Sequence, residues 1–367
     1  MRDLVHWRPT AAPTVAVLAC LVLSIASCSS PQKPSMTVQD AYALRMAGHA
    51  DSARVGLESI LATDSTDAAA WYELARTQHH IALGNPRELL DRLEQIDQAA
   101  GKAVAYAPQN ATYAFYRGYV ACVRAYASLM RQQPDAGERA KGAVAALETV
   151  VSLKPDYAEP MLFLVELLSI PAEMGGDSAR AEEYAAKLEA RDEVLGAKAR
   201  EMLLPEETDR VEFWQAVLAK HVDNPEALEQ LGRAYLHRED AEQGTENLRK
   251  AVAADPKRQT ALLDLARFHM MRARSNEHVR DSAMVAADGL IKEFVDSKPI
   301  PSLQAYALGL SFMVESAKGD TAKARELRTQ AEALDPNFSK AFGVPPALLF
   351  TGLDEVPHYH SHFFRPF

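Results

Sequence analysis

The chain has 367 residues, of which 48% are apolar and 25% are charged, and its formal net charge at pH 7 is −10. These proportions lie near the averages of soluble globular proteins, so they argue against a wholly disordered chain and against a polytopic membrane protein. The excess of negative charge argues against a broad nucleic-acid surface, because phosphate binding depends on clustered lysine and arginine. The length suits one large domain or two of ordinary size.

Residues 1–27 have the layout of a secretory signal peptide. Arg2 and Arg8 precede an apolar run from Val15 to Ala26. This run is shorter than the roughly 20 helical residues that a bilayer requires, so it does not predict a transmembrane helix. A basic start, a short apolar centre and small residues after it are typical of a cleaved leader.

Residues 25–28 (IASC) resemble the lipobox of bacterial lipoproteins, which has an aliphatic residue, two small residues and then cysteine. The resemblance implies cleavage before Cys28 and acylation of Cys28, including palmitate. Several acyl chains on one residue give stable membrane anchoring. Ser29, in place of aspartate, favours the outer membrane and a position facing the periplasm, and residues 28–36 would include a short polar tether. An ordinary signal peptide that happens to contain a cysteine is the alternative.

The segment from Pro225 to Arg258 is 34 residues long and has the pattern of two packed helices. Residues that recur at intervals of three and four lie on one face of a helix. The residues that define the pattern are Leu228, Leu231, Gly232, Tyr235, Leu248, Ala251 and Pro256. This pattern resembles the tetratricopeptide repeat (TPR), although Gly244 stands where that family usually has alanine.

Weaker copies of the same pattern occur on both sides of this unit. The residues that open them are Trp71, Leu74 and Ala75 in an early copy and Ala305, Leu308 and Gly309 in the last. Proline ends further segments, at Pro108, Pro155 and Pro336. The copies predict five to seven helical hairpins over residues 37–340. The predicted fold is an all-α, right-handed solenoid of TPR-like hairpins with an irregular C-terminal tail.

The resemblance to TPR proteins implies that the first helix of each hairpin lines a concave surface, which holds a peptide or a protein segment. By position, the predicted lining residues are Tyr72, Arg76, His79, Arg233 and Arg267. The segment 113–126, which has the densest aromatic cluster of the chain, adds Phe115 and Tyr119. Aromatic side chains and arginine are also the residue types that dominate protein interfaces. Packing within the core is the competing interpretation for each of them.

Residues 341–367 form a tail in which the repeat pattern stops. The last repeat of a solenoid normally needs a cover for its exposed face. Leu348, Leu349 and Phe350 are therefore expected to pack over that face or to lie in the groove. A docking peptide for a partner is the alternative interpretation of these residues.

His358, His360 and His362 alternate in the tail, and imidazoles at this spacing can bind zinc, nickel or copper. They are weak candidates because nearby carboxylates are few, and we predict neither a metal nor a cofactor. The sequence has no Gly-rich phosphate loop, G-x-S-x-G elbow, H-E-x-x-H motif or C-x-x-C pair. A binding protein is therefore predicted rather than an enzyme.

These patterns predict a membrane-anchored TPR scaffold or adaptor that binds a protein or peptide in the bacterial cell envelope. Nucleic acid is not an expected partner, whereas a small-molecule ligand stays open. One alternative function is a solute-capture accessory protein of an uptake system, which would need a closed apolar pocket. Another is a subunit of a machine that assembles outer-membrane proteins or pili.

Overall fold

In the computed structural model of the protein, residues 36–85 and 88–344 are described. These ranges form helices joined by turns, without a β-strand, which confirms the all-α prediction. Within them, no helix combines the length and the apolar character needed to cross a membrane. The predicted signal peptide, Cys28, nearly all of the tether and most of the tail, with its three histidines, lie outside the described residues.

Sixteen α-helices of the described residues alternate between the first and the second helix of a pair. The first helices are α1 (Val38–Met46), α3 (Ala68–Leu83), α5 (Ala111–Met130), α7 (Ala158–Leu168), α9 (Glu193–Leu203), α11 (Pro225–His237), α13 (Ala261–Ser275) and α15 (Pro301–Lys318). The second helices are α2 (Ala50–Thr63), α4 (Leu89–Tyr106), α6 (Ala136–Leu153), α8 (Ser178–Glu189), α10 (Arg210–Lys220), α12 (Ala241–Ala254), α14 (Arg280–Asp296) and α16 (Thr321–Leu334). Seven of these pairs pack closely, which agrees with the five to seven hairpins predicted, whereas α9 and α10 contact each other little.

Polar residues in the loops set where the helices begin. The side chain of Asp67 accepts a hydrogen bond from the backbone N–H of Ala70 at the start of α3, and Asp177 does the same for Arg180 at the start of α8. Such caps satisfy backbone donors that have no partner within the helix. Proline follows the second helix of four pairs, as the sequence predicts, at Pro108, Pro155, Pro256 and Pro336.

The pair α11–α12 shows how closely the two helices of a repeat approach. A β-carbon added at Gly244 would lie 2.3 Å from Cδ2 of Leu236 and 3.2 Å from the carbonyl oxygen of Gly232. A separation of 2.3 Å is far below van der Waals contact, so a larger residue would force Leu236 to move. This close approach explains why glycine stands where alanine is usual in the repeat.

The two helices of each pair lie on different sides of the array. Successive first helices contact one another more extensively than successive second helices do, as α1 does with α3, α5 with α7, α7 with α9, α9 with α11 and α13 with α15. Closer approach on one side bends a stack of helix pairs toward that side. The first helices therefore form the inner surface, which we call the groove.

The second pair of the array also contacts the last. A 3₁₀-helix over Phe338–Gly343 follows α16, lies mainly on α15 and touches the end of α3. Leu83 of α3 shares a hydrophobic core with Phe338 and other residues of the last pairs. A β-carbon added at Gly84 would lie 2.9 Å from Cα of Asn337, so the two backbones are in close contact. Residues near position 80 are thus packed against residues near position 338.

Candidate peptide-binding groove

All seven predicted lining residues lie on first helices, and all of them are at least partly buried. Tyr72, Arg76 and His79 lie on α3, Phe115 and Tyr119 on α5, Arg233 on α11 and Arg267 on α13. Side chains that line an open groove would be exposed to water, so contacts inside the protein must cover these residues. Their role in binding a partner stays a prediction.

A buried cluster of charges lies where α1 meets α3. Arg45 is fully buried, and its Nε lies 2.6 Å from Oε1 of Glu73. The Nη1 atom of Arg76 lies 3.4 Å from Oε2 of the same carboxylate. Both guanidinium groups also lie near the ring of Tyr42, at 5.4 and 5.7 Å from its centroid. One carboxylate and one electron-rich ring thus face two cations.

Aromatic rings continue this surface from α3 to α5. Tyr72 stacks on Tyr113, with 4.6 Å between ring centroids, and meets the edge of Tyr116 at 5.5 Å. The guanidinium of Arg76 lies 5.3 Å from the centroid of Tyr72 on the same helix. Burial raises the pKa of Tyr72 to about 12 against the opposing charge of Arg76. Tyr72 is therefore a neutral, packed ring at physiological pH.

His79 is held as a neutral imidazole. Its Nδ1 lies 3.2 Å from the hydroxyl oxygen of Tyr116, and its ring stacks on Tyr119 with 6.1 Å between centroids. Burial, together with the neighbouring His80 and Arg45, lowers the pKa of His79 to about 4. A neutral imidazole has one nitrogen that can accept a hydrogen bond from the tyrosine hydroxyl, whereas both nitrogens of a charged ring are donors.

Phe115 has a packing role in the structure. Its ring is fully buried and meets the rings of Tyr157 and Phe163, with centroid distances of 4.9 and 5.9 Å. These contacts join α5 to α7. Cys122, on the same helix as Phe115, is also fully buried, and burial raises the pKa of its thiol. Both residues belong to the core between neighbouring repeats, which favours the core interpretation for Phe115.

A second cluster of charges lies between α9 and α11. The Nζ atom of Lys198 lies 2.6 Å from Oε1 of Glu226, and Nη1 of Arg258 lies 2.9 Å from Oε2 of the same carboxylate. Arg258 also lies 2.6 Å from Oε2 of Glu229. Burial acts to raise the pKa of Glu226, but the charges of Lys198 and Arg258 outweigh it and lower that pKa to about 2. Glu226 therefore stays ionised at all physiological pH values.

Arg233 connects α11 to α13. Its Nη2 atom lies 3.0 Å from Oε1 of Glu229 and 2.8 Å from Oδ2 of Asp264. Burial disfavours the charged form of Arg233, but the two carboxylates outweigh burial and raise its pKa. Burial also raises the pKa of Asp264, in spite of the neighbouring guanidinium. This predicted lining residue thus joins two neighbouring repeats through buried ion pairs.

Arg267 binds a stretch of the protein's own backbone. Its Nη1 donates hydrogen bonds to the carbonyl oxygen of Phe342 at 2.6 Å and to that of Val344 at 3.3 Å. The hydroxyl of Tyr306 on α15 donates to the same carbonyl of Val344 at 2.8 Å. The groove therefore holds residues 342–344 by bonds to main-chain atoms, which do not depend on the side chains of the bound segment.

One buried cluster has the residue types of a catalytic triad without its arrangement. The Nε2 atom of His80 lies 2.7 Å from Oδ2 of Asp335, and Ser302 Oγ donates to the same oxygen at 2.6 Å. In a Ser–His–Asp triad the histidine lies between the other two and takes the serine proton. Here the carboxylate lies between them. Within the described residues, no three His, Cys, Asp or Glu side chains are grouped so that they could hold a metal ion.

An open cleft of about 950 Å³ lies on the outer side, between α12 and α14. Its wall includes the charged residues Glu242, Glu246, Arg249 and Lys250 of α12 and the apolar Val285 of α14. A small-molecule site is usually a deep, mostly apolar cavity. The surface of the cleft is mainly apolar, but its wide opening differs from the closed pocket that a solute-capture protein would need.

Several groups that shape the groove were not predicted from the sequence. They are Arg45, Glu73, Tyr306, Arg258 and Asp264. The sequence could have indicated Asp264, because this residue interrupts the apolar run of α13 (ALLDLARF). A charge at such a position indicates a buried partner. Arg45 carries no such signal, since α1 is a short helix of nine residues without a strong apolar stripe.

No protein-family model matches the chain, and no curated protein matches its sequence. The comparison with solved structures gives matches of low identity. One is yeast Tom70, where the match covers 86% of this chain and 73% of the other, with 13% identity and a TM-score of 0.35. Another is the Cut9–Hcn1 hetero-tetramer of the APC/C, with coverage of 89% and 50%, 14% identity and a TM-score of 0.31.

A third match is the C-terminal part of a TPR repeat-containing protein from Cytophaga hutchinsonii. It covers 87% of this chain and 100% of the other, with 13% identity and a TM-score of 0.28. With TM-scores below 0.5, these matches carry no argument about this chain. The assignment of helical repeats to this chain rests on its own packing of successive helix pairs.

Proposed function

We propose that this protein is a lipid-anchored scaffold of the bacterial cell envelope, which binds a protein or peptide partner along its groove. Two features support the proposal: the array of TPR-like helix pairs and the resemblance of residues 25–28 to a lipobox. Helical-repeat arrays offer extended surfaces for partner segments. The acylated Cys28 would fix such a surface beside the membrane.

The hydrogen bonds from Arg267 and Tyr306 to the carbonyl oxygens of residues 342 and 344 carry this proposal. They are an example, inside the molecule, of the groove holding the end of a 3₁₀-helix through its main-chain carbonyls. Recognition through main-chain atoms supplies affinity, and neighbouring side chains supply specificity. A segment of another protein would use the same donors by displacing residues 342–344 from them.

The short tether favours a partner in the envelope. Residues 29–36 can span at most roughly 26 Å when fully extended, at about 3.3 Å per residue. With Cys28 in the lipid, the repeat array would stay close to the membrane surface. A partner that is itself anchored or embedded there gains a high effective concentration.

Photo-crosslinking in cells tests partner binding. A benzoylphenylalanine placed at Met271, which is 41% exposed on the first helix α13, is expected to give adducts with a distinct protein. The same residue at Val285, which is 68% exposed on the second helix α14, is the matched control and should give few. Equal adducts from both positions, or adducts from neither, would argue against a partner in the groove.

Membrane fractionation tests the anchor. The substitution Cys28→Ser removes the thiol that would be acylated, so the protein should leave the membrane fraction and lose fatty-acid label. Cys20→Ser changes another cysteine of the N-terminal segment and should leave both unchanged. If the Cys28 variant stays in the membrane with its label, the lipoprotein assignment is wrong.

A further inference from the structure

Residues 338–344 cross the groove in a defined direction. The ring of Phe338 packs on His80 of α3, with 4.3 Å between centroids. The following residues lie on α15, and the carbonyl of Val344 then reaches Arg267 of α13. The chain therefore passes from α3 across α15 to α13. The next first helix in this direction is α11.

Polar side chains on the inner faces of α9 and α11 are almost completely buried. Lys198, Glu201, Gln230 and Arg233 are each 6% exposed or less. Charged and amide groups on an open groove would be solvated, and burying them costs free energy unless other polar or charged groups cover them. These residues lie on the side toward which the chain runs at Val344. Ion pairs such as those of Lys198 with Glu226 and of Arg233 with Asp264 offset this cost, and a segment that excludes water from the surface would strengthen them.

Residues 345–367 have a suitable composition and length for such a segment. Pro345 and Pro346 favour an extended backbone directly after Val344. The 23 residues can span at most roughly 76 Å. Four steps between helices that are 8–10 Å apart, from α13 to α5, require only about 40 Å. Apolar and aromatic residues such as Leu348 and Phe350 match the rings and aliphatic side chains of these helices.

We propose that residues 345–367 lie in the groove along α13, α11, α9, α7 and α5, so that the protein carries its own groove ligand. The contact is intramolecular and does not require the partner of the proposed function. Its consequence for that function is regulation, because a partner must displace the segment. The affinity for a partner then falls in proportion to the fraction of molecules whose groove is open.

Photo-crosslinking within the full-length purified protein tests the contact. Phe350 follows Val344 by six residues, or roughly 20 Å of extended chain, which reaches about two helices beyond α13. Benzoylphenylalanine at position 350 is therefore expected to give intramolecular adducts on α9, α11 or α13, identified by mass spectrometry. Adducts on the second helices, or an absence of adducts, would overturn the proposal.

Mixed samples of isotope-labelled and unlabelled protein identify the occupant. Adducts that join a labelled to an unlabelled chain would show that a second copy fills the groove, and they would overturn the intramolecular assignment. Because the sample is pure, this result does not depend on an envelope partner. Crosslinking in cells therefore tests the proposed function, whereas crosslinking within the purified protein tests this inference, so the two can fail independently.

Two variants test how the segment is held. Arg267→Gln removes the donor to the carbonyls of Phe342 and Val344, so the adduct yield from position 350 should fall several-fold. Arg274→Gln, at an exposed position of the same helix, should leave the yield unchanged. Should Arg267→Gln disturb folding, the double change L348D/L349D acts outside the helix pairs and is also expected to lower the yield. Unchanged yields in folded variants would contradict the proposed contact.

Discussion

Glu73 is the anion that faces two buried guanidinium groups, those of Arg45 and Arg76. The substitution Glu73→Ala removes this anion and leaves the cations buried, and breaking a buried pair in this way costs about 3–5 kcal/mol. We expect a loss of this size in the free energy of unfolding, measured by urea denaturation. Glu58→Ala removes an exposed pair with Arg54 and should cost less than about 1 kcal/mol. Equal losses would contradict the buried network.

His79 makes the fold sensitive to acid. Burial, with His80 and Arg45, lowers its pKa to about 4 in the folded protein, whereas an unfolded histidine titrates near 6.5. Between these values the unfolded chain binds a proton that the folded chain excludes. Stability is therefore lost as the pH falls from about 6.5 toward 4, by roughly 3 kcal/mol for this group alone.

The variant His79→Asn tests this pH dependence. Its side chain stays uncharged, so the fall of Tm between pH 6.5 and 4 should become shallower. A residual slope is expected, because burial also lowers the pKa of His80. His278→Asn changes an exposed histidine and should keep the slope of the unchanged protein. If both variants keep that slope, His79 is not the acid-sensitive group.

At the scale of single helices, the sequence pattern was sufficient where a helix had a clear apolar stripe. The positions of Leu228, Leu231 and Gly232 located α11, because the spacing of apolar residues is a local property of the chain. The pattern is weaker in short helices, such as α1 with nine residues and α10 with eleven. Such helices have only two or three turns, so few apolar positions are available to define a periodic pattern. Their stability comes from packing on neighbours, which the local sequence does not record.

Close packing between elements predicts opposite effects at two helical glycines. A β-carbon at Gly309 on α15 would lie 2.9 Å from the carbonyl oxygen of Ser339, whereas one at Gly289 on α14 meets nothing within 4 Å. Gly309→Ala should therefore lower the free energy of unfolding by about 1–3 kcal/mol through overpacking. Gly289→Ala should raise it by roughly 0.5–1 kcal/mol, because alanine is the better helix former. Thermal unfolding of both variants measures this difference, and a gain at Gly309 would contradict the packing.

At the scale of the whole molecule, the sequence predicts which helices form the groove but not which contacts the groove residues make. The repeat pattern assigned Arg233 and Arg267 to first helices, and both lie there. It did not indicate that Arg233 would bind Asp264 of the next repeat or that Arg267 would hold residues 342–344. The contact between His80 and Asp335 joins positions 255 apart. A repeat pattern describes contacts between neighbours, so it has no signal for a contact of this range.

Asp335 links the second pair to the last pair. Its Oδ2 accepts a hydrogen bond from Ser302 and faces Nε2 of His80, while its Oδ1 accepts from the backbone N–H of Phe338. The substitution Asp335→Asn can keep Oδ1 as an acceptor for the backbone N–H of Phe338. It replaces Oδ2 with an amide NH₂ group, which cannot accept a hydrogen bond from Ser302. Leaving a buried hydrogen bond unmade costs about 1–3 kcal/mol. We expect amide hydrogen exchange in α15 to become roughly ten-fold faster or more.

The response of α3 to this substitution distinguishes two kinds of array. In a solenoid whose repeats are stabilised only by their neighbours, a change after α16 leaves α3 undisturbed. Since His80 loses the charged carboxylate acceptor that its Nε2 faces, exchange near the end of α3 should also accelerate in Asp335→Asn. Glu326→Gln, on the exposed face of α16, should change neither helix. Acceleration confined to α15 and α16 would show that α3 draws no stability from the distant contact.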